Sequence, residues 1–237
     1  TVSDRNVTQP GVGEQLGVIG TDILSQMVVE LRYENANNEH LVVSQGCDTR
    51  DLGARGFWRF DQKGFFSSNP VEQRRPNVPV LHIDFQNGWS GPAIGVKTWA
   101  QIDPGYGDAV RPYTIDINDA YYIRLVAAQA PLVEIDRIIL SDCQGITRTD
   151  RVYVMPGHLL RIETPDGAAM YRQPSFYLVR KGKGSSQCGG ITTTDEPAAQ
   201  FGSSFLRVFG RVIFDPAQTA VWVLPTTFRE QRPAVKQ

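Results

Sequence analysis

The sequence predicts a mainly β protein, and three features of the chain predict it. Short apolar or alternating runs recur along most of the 237 residues and are bounded by glycine, proline and asparagine, a pattern typical of strands joined by turns. Only residues 117–128 carry a convincing helical pattern. The end of the chain also repeats its beginning. With 41% hydrophobic residues, the chain is long enough to bury one large core or two small ones.

Composition and charge exclude several classes of function. The formal net charge is −1 and the charged residues are scattered, so the sequence offers no basic face for nucleic acid. No apolar run approaches the roughly 20 residues that cross a bilayer, so we expect no membrane span. The three histidines and three cysteines lack the close spacing of a metal site. We therefore expect no metal and no cofactor.

The cysteines leave the cellular compartment open. Cys143 and Cys188 either form one structural disulfide in the C-terminal half or remain two buried thiols, and Cys47 is left free or paired to another chain. The disulfide is our prediction. It would favour an exported or periplasmic protein, because disulfides persist in oxidising compartments.

The first part of the chain is predicted to be a polar arm followed by a hairpin. Order is expected to begin at Leu16, with a short strand that ends at Gly20 and a short capped helix. An alternating strand at 27–33 and a second strand at 40–43 then form the hairpin. Residues 46–77 are irregular and rich in aromatic rings, so we interpret them as a connecting segment packed by those rings.

The second part is predicted to consist of strands around one helix. Residues 78–85 and 92–102 form a hairpin, and the helix that follows has Ala120, Ile123 and Ala127 on its apolar stripe. Further strands are predicted at 137–140, 151–155, 159–164 and 175–180.

The second predicted hairpin ends in an acidic, glycine-rich turn. Asp103 directly follows an apolar strand, and Gly105 and Gly107 keep the turn free of side-chain bulk. Asp108 keeps the turn acidic. This pattern is one way to hold a carboxylate at the floor of a cleft. The alternative is an ordinary turn between two strands, a common use of Asp-Pro-Gly.

The last predicted strands repeat the first ones. Residues 200–207 align without a gap on residues 18–25, and residues 211–215 align on residues 29–33. A turn and an apolar strand then follow in both copies. Two copies of glycine, short helix, strand, turn and strand indicate two related lobes. A chance match of short β patterns is the alternative.

The order of these segments resembles one lobe of the pepsin and retropepsin group of aspartic peptidases, of which this chain would be a divergent, bacterial-type member. Asp103-Pro104-Gly105 stands at the family's Asp-Thr/Ser-Gly, and Gln200-Phe201-Gly202 stands near its apolar-apolar-Gly. The resemblance implies pepsin-like or retropepsin-like acid-protease lobes with short helices. It divides the chain into an arm with the closing segment of a first lobe, a connecting segment, a second lobe and a tail. These parts are residues 1–45, 46–77, 78–228 and 229–237.

The resemblance also implies an aspartic endopeptidase. Asp103 would be catalytic, Pro104, Gly105 and Asp108 would form its turn, and Gly20 and Gly202 would lie in supporting loops. In this family two lobes each supply one aspartate. Because this chain offers one candidate, the implied partners are a peptide or protein substrate and a second chain or N-terminal fragment that supplies the other aspartate. The gene is expected to encode that Asp-Thr/Ser-Gly turn upstream.

Two residues depart from the family pattern. Pro104 provides neither the hydroxyl nor the backbone N–H that Thr or Ser gives to the network between the two turns, and Gln200 is polar where the family is apolar. Pro104 favours an alternative function, a non-catalytic protease-like protein that binds peptide or has a structural role. A weaker alternative is a β-rich structural or coat protein of unrelated fold.

Overall fold

The computed structural model describes residues 26–33, 40–46, 48–63, 78–104, 113–141, 145–164, 169–172, 176–183, 190–225 and 229–231. Within these ranges the protein is mainly β, which confirms the predicted class. The strands are β1 (Val28–Arg32), β2 (His40–Ser44), β3 (Trp58–Lys63), β4 (Val78–Asn87), β5 (Thr98–Ile102), β6 (Thr114–Asn118), β7 (Val133–Ser141), β8 (Thr147–Val154), β9 (His158–Glu163), β10 (Ala169–Arg172), β11 (Tyr177–Lys181), β12 (Ala198–Phe201), β13 (Arg211–Asp215), β14 (Ala220–Leu224) and β15 (Arg229–Gln231). The α-helices are α1 (Asp119–Ala127) and α2 (Ser203–Leu206).

Two hairpins near the ends of the chain pair with each other. The strand order in this part of the sheet is β2-β1-β13-β14-β3, and all neighbours are antiparallel. These hairpins are the two segments that the sequence repeat relates. They meet through their first strands.

The pairing of β1 with β13 is symmetric. Val29 lies opposite Phe214, and Arg32 lies opposite Arg211. The gapless repeat aligns Val29 with Arg211 and Arg32 with Phe214, so exchanging the two copies converts each pair into the other. A local two-fold axis therefore passes through the middle of this strand pair.

Seven of the other strands form a second region in the order β4-β5-β12-β6-β11-β8-β7, and β10 pairs with β9 and β15 beside it. Strand β12 is parallel to β5 and antiparallel to β6, and β11 is parallel to β6. Strand β9 pairs with β4, and β3 joins the two regions through its contact with β4. None of the helices in the described part of the chain is long and apolar enough to cross a membrane.

The buried face of α1 differs from the predicted stripe. Tyr121 and Leu125 are fully buried, whereas Ile123 is 61% exposed. The helix begins after Asn118, whose side chain accepts a hydrogen bond from the backbone N–H of Tyr121 over 3.0 Å. The predicted face of Ala120, Ile123 and Ala127 was wrong because the helix packs on the core through Tyr121 and Leu125, which lie one turn apart on a different face.

Two strand boundaries also differ from the expectations. Strand β5 begins at Thr98, not at residue 92, because Pro92 has no backbone N–H and Gly95 adopts a left-handed φ of 80°. Strand β3 lies inside the segment interpreted as a connection, where Trp58 and Phe60 are buried. The strand and helix expected before residue 26 lie outside the described residues.

Candidate functional site

Asp103 lies at the carboxyl end of β5. Four of the five residues of this strand are buried, and the chain emerges at Asp103, which is half-buried, and at Pro104, which is exposed. The backbone N–H of Asp103 donates to the carbonyl oxygen of Phe201 over 2.9 Å. The strand and this hydrogen bond fix the backbone that carries the carboxyl group.

Gly202 follows the end of the neighbouring strand. Because β5 and β12 are parallel, with Ile102 opposite Phe201, the chain leaves both strands at the same edge of the sheet. Gly202 is buried, and its carbonyl oxygen accepts hydrogen bonds from the N–H groups of Phe205 and Leu206, each over 3.0 Å. The structure thus brings two predicted site residues, Asp103 and Gly202, to neighbouring positions although they are far apart in sequence.

The other predicted site residues lie outside the described part of the chain. They are Gly20, Gly105 and Asp108. Cys47, Cys143 and Cys188 also lie outside it, so the disulfide remains a prediction.

Asn118 positions the start of β12. Its Nδ2 donates to the carbonyl oxygen of Glu196 over 2.7 Å, and its Oδ1 accepts from the N–H of Ala198 over 3.1 Å. The same Oδ1 caps α1. One buried amide therefore links β6, α1 and β12. It fixes the position of the strand that ends directly before Gly202.

A pair of hydroxyl groups lies on the side of Gly202 that faces β6, away from Asp103. Thr114 at the start of β6 and Ser204 in α2 are hydrogen-bonded through their Oγ atoms, which are 3.1 Å apart. Continuing the β12–β6 register places Thr114 opposite Gly202. Sequence reasoning missed both residues. The position of Ser204, two residues after the glycine of the apolar-apolar-Gly pattern, is the signal that could have identified it.

A row of buried polar side chains crosses the sheet directly behind this edge. Gln101, Gln200 and Asp116 lie opposite one another on β5, β12 and β6, so they project to the same side of the sheet as Asp103. All three are less than 10% exposed. The Oε1 atom of Gln101 is buried and has no hydrogen-bond partner among the described residues.

The polar row continues into a buried ionic cluster. The Nζ atom of Lys181 lies 3.6 Å from Oδ2 of Asp116 and 3.3 Å from Oδ2 of Asp150, and Arg148 donates to Asp150 over 3.2 Å. Two carboxylates and two cations balance in charge. This balance explains how such groups tolerate burial, since buried charges require partners. The cluster is therefore a structural feature of the sheet behind the site.

A further buried carboxyl group lies on β4. Asp84 is fully buried, and one of its oxygens accepts from the N–H of Phe85 over 2.8 Å, while Oδ2 has no hydrogen-bond partner in the described part of the structure. Burial raises the pKa of Asp84, because the charged form loses its hydration. The hydrogen bond from Phe85, the nearby backbone of Gly95 and the charges of Arg161 and Lys97 reduce this effect without reversing it.

The described residues contain no group of three or more His, Cys, Asp or Glu side chains that could hold a metal ion. No protein-family model, curated protein or solved structure matches this chain.

The chemistry available at this edge is that of a carboxyl group. The carboxylate form of Asp103 can take a proton from water, and its acid form can donate one to a carbonyl oxygen. A side chain at position 202 would project to the same side of the sheet as the Asp103 carboxyl group, and glycine places none there. The edge therefore combines an acid on an anchored backbone with a neighbouring residue that has no side chain.

Proposed function

We propose that this protein is an aspartic endopeptidase built from pepsin-like or retropepsin-like lobes, with Asp103 as one of its two catalytic carboxylates. The position of β12 carries the proposal. This strand lies between β5 and β6, parallel to the first and antiparallel to the second, so the chain leaves the sheet at neighbouring positions after Ile102 and after Phe201. The order of hairpin, Asp-x-Gly turn, helix and apolar-apolar-Gly in the sequence supports the same function.

Peptide hydrolysis at this edge requires a second carboxyl group next to Asp103. Two carboxyl groups about 3 Å apart cannot both be ionised, so one keeps its proton while the other is charged. The charged group takes a proton from the attacking water, and the protonated group donates to the carbonyl oxygen of the substrate peptide. Asp103 provides one group, and a second lobe provides the other.

The local two-fold axis supports the presence of a second lobe. It relates the hairpin β1–β2 to the hairpin β13–β14, and the second of these closes the lobe that carries Asp103. A lobe closed by β1–β2 would by the same symmetry present its own turn toward Asp103. The substrate would be a peptide or protein segment bound between the two turns.

Pro104 favours a second candidate function, a protease-like protein that binds peptides without cleaving them. It is exposed directly after Asp103 and provides no hydroxyl or backbone N–H to a network between two turns. A structural or assembly role for the same edge belongs to this alternative.

Hydrolysis of a mixed peptide library by the complete gene product separates the two functions. We expect the wild type to cleave and Asp103→Asn to lose about 10²–10⁴-fold in rate, the usual contribution of a general acid or base. Asp51→Asn is the matched control, because Asp51 is an exposed aspartate in a turn away from this edge. Equal cleavage by the wild type and Asp103→Asn would refute the assignment of Asp103. Peptide binding without cleavage by the folded wild type would favour the second candidate.

A further inference from the structure

Three arginines lie side by side on the face of the sheet that carries α1. Arg180 of β11 lies directly opposite Arg151 of β8, and Arg151 lies directly opposite Arg137 of β7. Residues in opposite positions project to the same side of a sheet, and neighbouring strands are about 4.8 Å apart. Like charges in such positions destabilise a sheet. The row is therefore unfavourable unless anions neutralise it.

Two carboxylates of the chain neutralise the row from its two ends. Glu134 accepts hydrogen bonds from Nε of Arg137 over 2.9 Å and from Nη1 of Arg151 over 3.3 Å. Asp119, the first residue of α1, accepts from Nε of Arg180 over 2.6 Å. Among the described residues, no carboxylate bridges Arg151 and Arg180. Three guanidinium groups and two carboxylates leave one positive charge in excess.

Two tyrosine side chains lie beside the gap between Arg151 and Arg180. Tyr153 is two residues after Arg151 on β8 and is therefore on the same face of the sheet. Tyr122 of α1 has its ring centre 5.3 Å from that of Tyr153 and 4.1 Å from Cζ of Arg180. The Arg180 guanidinium is thus held between Asp119 and an aromatic ring, which fixes its position.

The hydroxyl group of Tyr153 is the unexplained feature of this gap. Tyr153 is 4% exposed, and its Oη atom is buried without a hydrogen-bond partner in the described part of the structure. Its contact with Tyr122 raises the pKa of Tyr122 without reaching hydrogen-bond geometry, and the charges of Arg180 and Arg151 oppose that rise. Buried phenol hydroxyls usually have a partner. This donor therefore lies next to two guanidinium groups and lacks an acceptor.

The donors around the gap suit an oxyanion with several oxygens. The contacts with Glu134 and Asp119 use one nitrogen of Arg151 and one of Arg180, so both guanidinium groups keep further N–H donors. Arginine binds phosphate and carboxylate through pairs of parallel hydrogen bonds. A phosphate monoester has three terminal oxygens, one for each of the three donor groups, and carries about −1.5 to −2 charges at pH 7. It would neutralise the excess positive charge more completely than a carboxylate.

We propose that the gap between Arg151 and Arg180 binds a phosphate monoester group, with the Tyr153 hydroxyl as the third donor. The group belongs to a small molecule or to a phosphorylated protein side chain, and the chemistry of the site is the same for both. Arg180 lies opposite Ile117 of β6, whereas the neighbouring Asp116 projects to the side of Asp103. The site is therefore on the other face of the sheet from Asp103, and it does not depend on the proposed function.

Isothermal titration calorimetry of the complete gene product tests this site. The probes are inorganic phosphate, a short peptide with one phosphoserine, the same peptide with serine, and a short oligothymidylate. Arg151→Gln removes a guanidinium, and Tyr153→Phe removes only the buried hydroxyl. Arg124→Gln is the matched control, because Arg124 is exposed on α1 and makes no ion pair with a described residue. Urea unfolding of each variant accompanies the titrations.

We expect the phosphopeptide to bind and the serine peptide not to bind. Arg151→Gln should weaken binding by at least about tenfold, the usual effect of a hydrogen bond to a charged group, and Tyr153→Phe should weaken it about fivefold. Arg124→Gln should leave the affinity unchanged. Because the second pKa of a phosphate monoester is about 6, the wild type should bind more weakly at pH 5.5 than at pH 7.5.

Tyr153→Phe separates a binding role from a structural one. The hydroxyl has no partner to lose among the described residues, so the variant should unfold at the same urea concentration as the wild type or at a higher one. Equal affinity for inorganic phosphate and the phosphopeptide would identify a small phosphate as the ligand, and tighter binding of the phosphopeptide would identify a phosphorylated protein segment.

The proposal is overturned if neither phosphate probe binds at millimolar concentration, or if the serine peptide binds as well as the phosphopeptide. It is also overturned if folded Arg151→Gln and Tyr153→Phe both keep the wild-type affinity. Tighter binding of the oligothymidylate than of either phosphate probe would make the row a general polyanion surface and would equally exclude a monoester site.

Discussion

Gln101 and Gln200 lie opposite each other in the parallel strand pair, directly behind Asp103 and Gly202. Both are buried, and each stands between apolar neighbours along its own strand. The two side chains therefore place amide groups immediately beneath the candidate site, in a region that most sheets fill with aliphatic side chains.

Replacing Gln101 with methionine should leave stability unchanged or raise it by about 1 kcal/mol, since its Oε1 is a buried acceptor without a described partner and such a group costs about 1–3 kcal/mol. Urea unfolding at pH 7 measures the change. Gln86→Met is the matched control, because the Gln86 amide donates to the carbonyl oxygens of Gly88 and Trp89, each over 3.1 Å. We expect that control to be destabilised. A larger loss of stability for Gln101→Met than for Gln86→Met would contradict the prediction.

Asp84→Asn should make the protein more stable at neutral pH. The pKa of Asp84 is raised above its ordinary value of 3.8 by burial, so the folded state binds the proton more tightly than the unfolded state. Stability from this group is therefore greatest in acid, and it is lost as the pH rises from about 3.8 through the raised pKa. Asparagine keeps the acceptor oxygen for the N–H of Phe85 and carries no charge.

Urea midpoints of the wild type and Asp84→Asn, measured between pH 4 and pH 8, check this sign. The difference between the two proteins should be small at the acid end and should grow in favour of the variant as the pH rises. A difference that stays constant with pH would show that Asp84 does not change its protonation between the folded and unfolded states.

The contact between Glu30 and Arg211 holds the two hairpins together across the local two-fold axis. Burial alone would raise the pKa of Glu30, but hydrogen bonds and charges from Arg32 and Arg211 outweigh it and hold the pKa below the ordinary value of 4.5. The stability contributed by this carboxylate is therefore present above about pH 4.5 and is lost as the pH falls through the lowered pKa. The Arg211 guanidinium also lies 5.4 Å from the centre of the Phe57 ring.

Arg211→Met should destabilise the protein by about 1.5–3 kcal/mol at pH 7, the usual range for a hydrogen bond to a charged group. Arg32→Met is the control, because Arg32 contacts the same carboxylate from its own strand and is more exposed. We expect the smaller loss there. If the two variants unfold at the same urea concentration, the Arg211–Glu30 contact between the hairpins contributes no more to stability than the Arg32–Glu30 contact within β1.

Alternating or continuous apolar patterns were enough to predict the strands whose partners are close in sequence. The hairpin β13–β14 is an example. Residues 211–215 and 220–224 alternate or are continuously apolar on either side of a short turn, and they pair with each other. Strand β3 could not be predicted in this way. Its residues Trp58 and Phe60 pair with Val223 and Val221. The segment therefore forms a strand because of a partner far along the chain.

The candidate site was predictable only in part. The apolar strand before Asp103 and the glycine-rich turn after it mark the carboxylate, and the apolar residue before Gly202 marks the neighbouring turn. The buried polar residues were not predictable. In β6 the sequence Thr-Ile-Asp-Ile-Asn has the alternation of a half-exposed strand, yet Asp116 is buried, with the Nζ atom of Lys181 on the neighbouring β11 3.6 Å from its Oδ2. That contact depends on the sheet order and not on any local pattern.

Pro104→Thr provides the final test, because it restores the two groups that the resemblance requires and the native residue lacks. If Asp103 shares a proton with a second carboxyl group, only the singly ionised pair is active, so the rate of peptide cleavage should fall on both sides of an acidic-to-neutral optimum. Threonine at position 104 adds a hydroxyl and a backbone N–H to the network that would hold the two turns together. The variant should therefore cleave at the wild-type rate or faster, with the same bell-shaped profile, or should gain activity if the wild type binds without cleaving.

Pro104→Ala separates the effect of the hydroxyl from that of the N–H, since alanine restores the N–H alone. The measurement is kcat/KM for one library-derived peptide from pH 3 to pH 8. A monotonic profile would exclude a shared proton, and a folded Pro104→Thr variant that binds the peptide but never cleaves it would assign this edge to peptide binding.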